Sequence, residues 1–195
     1  MFLEQFLQAV VGVTPDLACF GKGLANGFPV SAVAGRRDVM MVMEEIFFSF
    51  TFGGEMLSLA AARAVLQKLT REPVLQSIAA AGERLGAGIK ALLEDDDLRQ
   101  VFDLRGHPSW TFLTIADQPN ASAMEIKTLL MQELHQRGIL WVGTHNLNLA
   151  HGNAEIDALL DAYRAVLPMI AAHAKAGNVV AQLRCDPLVP LFKVR

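Results

Sequence analysis

Two stretches decide the reading of this chain: residues 14–33, TPDLACFGKGLANGFPVSAV, and residues 49–54, SFTFGG. In the first, an apolar run over 17–20 passes into Gly21, Lys22 and Gly23, and a second breaker cluster follows at 26–29. That punctuation predicts short strands joined by turns. Lys22 stands in an apolar, Gly-flanked segment with no solvated helix face to occupy. A partly buried ammonium there loses hydration, its pKa falls, and a fraction of neutral amine becomes able to attack a carbonyl and form a Schiff base. A surface turn lysine is the plain alternative for an isolated Gly-Lys-Gly. The second stretch supplies the Thr51 hydroxyl and two glycines directly ahead of an Ala- and Leu-rich helix predicted over 55–69. Unpaired N–H groups at the positive end of such a helix suit a phosphate, although no Walker-type Gly-Lys-Ser/Thr sequence is present.

Outward from these stretches the chain reads as further helices and strands. Pro73 suits a first helical turn, and Val74, Ile78, Leu85, Ile89 and Leu92 recur at roughly helical intervals, with Gly82, Gly86 and Gly88 expected at close packing contacts. Strands are predicted over 101–104 and 110–116, around a turn at Gly106-His107-Pro108. Ser122 and Glu125 form a capping box for a helix carrying Ile126, Leu129, Leu130 and Leu134, which Gly138 ends. A strand is expected over 139–142. The last long helix starts at Asn153, and Pro168 is expected to kink or divide it. The fold class is α/β leading into a compact α+β unit, divided as residues 1–75, 76–185 and an irregular tail 186–195.

Composition sets limits on function. Of 195 residues, 52% are hydrophobic and 19% charged, with 17 Lys+Arg against 20 Asp+Glu, so a core is available and global disorder is excluded. A net charge of -3 without a basic block argues against a nucleic-acid partner. Apolar stretches are interrupted well short of the ~20 residues that span a bilayer, and the N-terminal MFLEQFLQAVVG carries Glu4 but no basic region, so neither a membrane span nor a secretory signal is expected. Cys19 and Cys185 match no disulfide framework and no metal spacing, and both read as reduced, buried thiols of a cytoplasmic protein. His145 and His151 lack the spacing of a helical metal pair; together with Asn146 and Asn148 they are expected to make structural hydrogen bonds.

Lysine chemistry combined with phosphate holding points to one cofactor, pyridoxal 5'-phosphate, which brings an aldehyde for the first and an anion for the second. On the same residues, TPDLACFGKGLANGFPVSAVAGRRDVM followed by FSFTFGGEMLSLAAA resembles the class III aminotransferases, a pyridoxal-phosphate family that includes glutamate-1-semialdehyde aminomutase, ornithine aminotransferase and omega-transaminases. GHPSWTFLTIA, QELHQRGILWVG and NLNLAHGNAEIDALL look like the small C-terminal domain of that family, with the semialdehyde aminomutase branch closest in style. The resemblance implies the C-terminal part of a fold-type I transferase: a partial large domain, then the small α+β domain. It implies that Lys22 is the Schiff-base lysine and proton shuttle, and that Thr51 binds the cofactor phosphate of the neighbouring subunit in a dimer. Substrates would be a small amino donor and a carbonyl acceptor.

The chain departs from the pattern in three ways. Glu55-Met56 stands where the family continues with Asn-Pro, and THNLNLAHG lacks the arginine with which several members bind a substrate carboxylate. The family's upstream phosphate turn, ring-stacking aromatic and pyridine-pairing aspartate have no counterpart among the residues before Thr14. Residues 1–75 are therefore expected to leave apolar edges uncovered, and the chain reads as a truncated C-terminal half. It would act either as a transaminase or aminomutase polypeptide, in a homodimer or a dimer with a longer homologue, or as a non-catalytic remnant that lends Thr51 to a full-length subunit; a plain apolar binding module has only the composition behind it.

Overall fold

In the computed structural model residues 12–189 are described; expectations resting on Glu4 and on the tail 190–195 lie outside them. The chain divides into two compact units, Met1–Leu75 and Gln76–Arg195.

The first unit begins with an antiparallel ribbon of β1 (Leu17–Phe20) and β2 (Ala32–Gly35), with Leu17 opposite Gly35 and Phe20 opposite Ala32. Between the strands a single 3-10 turn, Lys22–Leu24, carries the lysine. At the foot of the ribbon, the Arg36 guanidinium reaches Asp16 at 2.9 Å and Asp38 at 2.6 Å. A short helix α1 (Arg37–Met40) and a 3-10 turn (Met41–Glu44) lead to the glycine turn and then to α2 (Met56–Arg71). Few of the described side chains are buried here: Ala25, Ser58, Ala62 and Val74 are, whereas Phe47 is 95% exposed, Met56 78% and Leu57 67%. Burying such side chains would stabilise the unit by about 1.5–3 kcal/mol each.

The second unit has a true core. Three antiparallel strands, β3 (Phe102–His107), β4 (Trp110–Ile115) and β5 (Thr144–Asn146), lie in that order. Along β4, Thr111 and Leu113 are buried while Trp110 and Thr114 are exposed, so one face of the sheet is covered. The core is built on helices α3 (Val74–Leu92), α4 (Asp96–Val101), α5 (Ala123–Gln136) and α6 (Asn153–Ala176). Ser122 and Glu125 cap α5 reciprocally, as their spacing predicts: Ser122 N–H donates to Glu125 Oε2 at 2.7 Å, and Glu125 N–H donates to Ser122 Oγ at 3.3 Å. Ile126, Leu130 and Leu134 of α5 and Tyr163, Val166, Leu167 and Ile170 of α6 are wholly buried. Among the described residues no helix is long and apolar enough to cross a membrane.

Several expectations are corrected. The strand expected over 139–142 lies instead at β5, because Gly143 at φ 114° breaks the extended run and only Thr144–Asn146 reach the β4 edge. Helix α4 was not anticipated; Asp95 caps it by accepting the Asp97 and Leu98 N–H groups. Pro168 does not divide α6, since Leu167, Ile170 and Ala171 around it are held in the core. Cys19 and Cys185 are free but exposed rather than buried. In β1 the partly covered face carries Ala18 and Phe20, and strand alternation sends Cys19 to the other.

The three glycines of α3 differ in kind. A Cβ at Gly82 would sit 2.0 Å from the Pro108 carbonyl oxygen and one at Gly88 2.6 Å from the Leu160 methyls, whereas one at Gly86 would meet only a Leu104 methyl at 3.8 Å. Close packing therefore explains Gly82 and Gly88 but not Gly86. Gly82→Ala is expected to destabilise the second unit by about 2 kcal/mol, and Gly86→Ala to stabilise it by about 0.5–1 kcal/mol through helix propensity. Urea midpoints of the two variants measure both, and equal effects would remove the distinction.

Candidate active site

The Lys22–Leu24 turn lies alongside α2, so the lysine and the helix that follows the Thr51 turn are neighbours within one unit. Lys22 is exposed, which corrects the expected partial burial. The unit has too few covering elements to take a long side chain out of water. The backbone carries the more telling feature: Lys22 has φ 47°, and Asn26 at φ 49° is the only other non-glycine with positive φ among the described residues. This left-handed conformation costs an L-residue roughly 1–2 kcal/mol and is normally given to glycine. Glycine flanks the position on both sides, yet lysine holds the strained one. Strain of this kind accumulates where a side chain has to be presented in one place.

Thr51 is also exposed, in the turn that precedes α2. The open helix end expected behind it is absent. Glu55 is the N-cap of α2: its Oε1 accepts the Leu57 N–H at 2.9 Å and its Oε2 accepts the Ser58 N–H at 2.6 Å. The signal was present in the sequence as a carboxylate one residue before the helix with a serine three positions on.

His145 is buried in β5, with Nδ1 2.9 Å from Thr111 Oγ1 and Nε2 2.7 Å from Tyr163 OH. Desolvation pushes the imidazole down to about 4 and the Tyr163 phenol upward, so both are neutral near pH 7. These bonds tie β4, β5 and α6 together, and His145 has no nitrogen left for a ligand. Asn148 Oδ1 accepts the Ala150 N–H at 2.9 Å, and His151 Nδ1 accepts the Asn148 N–H at 3.2 Å, both local structural bonds. Asn146 is exposed opposite Trp110. His145, Asn146 and His151 line a cavity of about 590 Å³ that is otherwise mainly apolar.

Comparison with known proteins places this geometry in a family. The sequence profile of the class III aminotransferases matches residues 4–152, and the chain belongs to that family. It is 26% identical over 151 residues to the 3-aminobutyryl-CoA aminotransferase of Cloacimonas acidaminovorans, covering 77% of this chain and 36% of that protein. It is 30% identical over 167 residues to the glutamate-1-semialdehyde 2,1-aminomutase of Desulforapulum autotrophicum, covering 80% and 39%. Among solved structures, an omega-transaminase from Sphaerobacter thermophilus superposes with a TM-score of 0.70 at 26% identity, covering 84% of this chain and 41% of its own. A transaminase with pyridoxal phosphate bound gives 0.76 at 22% identity, covering 86% and 41%. The chain thus spans about two fifths of the length of these relatives. The fold is the corresponding part of a pyridoxal-phosphate transferase, and pyridoxal 5'-phosphate is the cofactor of the family.

The residues present answer that cofactor in two ways. A presented amine at Lys22 and a hydroxyl at Thr51 fit an aldehyde and a phosphate. The start of α2 does not fit, because a carboxylate occupies its Leu57 and Ser58 donors.

Two predictions follow from these geometries. Lys22→Gly is expected to raise stability by about 1 kcal/mol by removing left-handed strain, seen as a higher urea midpoint; a lower midpoint would show the turn to be unstrained. For His145 the folded pKa of about 4 lies below the ordinary 6.5, so between those pH values the unfolded state binds the extra proton. Stability should fall by about 3 kcal/mol as pH drops through that window. The decline should be shallower in His145→Gln, and identical pH profiles would contradict a neutral buried imidazole.

Proposed function

We propose that this chain is the lysine-bearing part of a pyridoxal-phosphate-dependent transaminase or aminomutase, with Lys22 as its catalytic amine. The observation that carries this reading is Lys22 held at φ 47° between two glycines, beside α2, inside the segment that matches the family. When bound, pyridoxal phosphate supplies an aldehyde for condensation and a ring that delocalises electrons. Lys22 Nζ would hold the cofactor at its aldehyde, and as a free amine the same nitrogen would be the group that carries a proton to and from the reacting carbons. Thr51 Oγ1 donates to a phosphate oxygen, on the family pattern that of a neighbouring subunit, which implies a homodimer or a dimer with a longer homologue. A small amino donor and a carbonyl acceptor are the substrates. Two free, exposed thiols suit the reducing cytoplasm.

A second reading has its own support. The apolar surface of the first unit, with Phe47, Met56 and Leu57 in water, suits a non-catalytic partner that lends Thr51 to a longer subunit and completes no site itself.

Both readings meet one experiment. The purified chain is mixed with pyridoxal phosphate, reduced with borohydride and mapped by peptide mass spectrometry. A single adduct on Lys22, lost in Lys22→Ala, is the expected result. Adducts scattered over the surface lysines would sink the assignment. Co-purification with a longer homologue and no adduct at all would establish the second reading.

A further inference from the structure

We infer that Glu55 is a specificity-determining residue that closes the N-terminus of α2 to anions, so that a phosphate at this turn engages Thr51 and not the helix end. A helix start ordinarily attracts phosphate through free N–H groups and the positive end of its dipole. Here the second and third of these donors are spent. Leu57 N–H donates to Glu55 Oε1 at 2.9 Å, and Ser58 gives both its N–H, at 2.6 Å, and its Oγ–H, at 2.5 Å, to Oε2. Ser58 is completely buried, so the hydroxyl that anchors the carboxylate is itself fixed by packing. A phosphate arriving at the helix end would have to break these bonds and approach a full negative charge. The Ser58 hydroxyl first, and then the Leu57 and Ser58 N–H groups, hold the Glu55 carboxyl below the usual carboxylate range, so the charge is in place at neutral pH.

The inference deepens the proposed function, since it rests on the turn facing a phosphate, but it concerns different residues from Lys22 and is read by a different signal. The probe is inorganic phosphate, titrated into the full chain and into Glu55→Asn. Asparagine keeps an N-cap acceptor, which preserves the helix start while removing the charge. Phosphate affinity, followed by phosphorus NMR, should rise about tenfold in the variant; equal affinity in the two proteins overturns the inference. A measurement on the unaltered chain covers the case in which the variant does not fold. Amide signals of Leu57 and Ser58 that stay fixed as phosphate is added support the closed helix end, and signals that move overturn it. Because the Lys22 adduct is scored separately, an adduct with moving amides rejects only the role of Glu55, and fixed amides without an adduct reject only the role of Lys22.

Discussion

Contact of α2 with the Lys22–Leu24 turn is the constraint on which the proposed lysine site depends. The turn is too short to fix a long side chain by itself, and its flanking glycines lower the cost of many backbone conformations. Beside the neighbouring helix the lysine takes a left-handed φ that glycine would hold more cheaply. The same helix begins behind the Thr51 turn, so one element relates the amine to the hydroxyl. The Leu57 and Ser58 N–H groups of its first turn are taken by its own Glu55.

The two units of the chain differ in how far each satisfies itself. In the second, the α5 and α6 stripes, the covered face of the sheet and the Thr111–His145–Tyr163 bonds bury apolar and polar groups together. Every ring nitrogen of His145 has a partner, which is what makes a buried imidazole affordable at neutral pH. The first unit keeps Phe47, Phe48, Phe50, Phe52 and Met56 more than half exposed. The relatives are more than twice as long as this chain, and exposed apolar side chains of this kind mark a surface suited to further polypeptide.

Much of the fold was legible because the local signals were strong. The Ser122–Glu125 box, the apolar recurrence in α3 and α6 and the glycine punctuation around Lys22 act over a few residues and read directly. The misreadings share a physical cause. An extended run at 139–142 looks like a strand whether or not a partner edge is within reach, and Gly143 took it out of reach. Pro168 weakens an isolated helix, but the core around it outweighs the lost hydrogen bond. The proposed site was legible as residue types, a lysine between glycines and a threonine before a helix. Glu55 was visible as a departure from the family pattern, though its hydrogen bonds were not.

By itself the sequence determined the family and the placing of most helices, because these follow from residue identity and short-range periodicity. Only the tertiary structure decided that Lys22 is strained rather than buried, that the helix end beside Thr51 is closed, and that His145 is a neutral core group. Those properties depend on which atoms surround a side chain, and desolvation, strain and hydrogen-bond saturation exist only once distant segments have met.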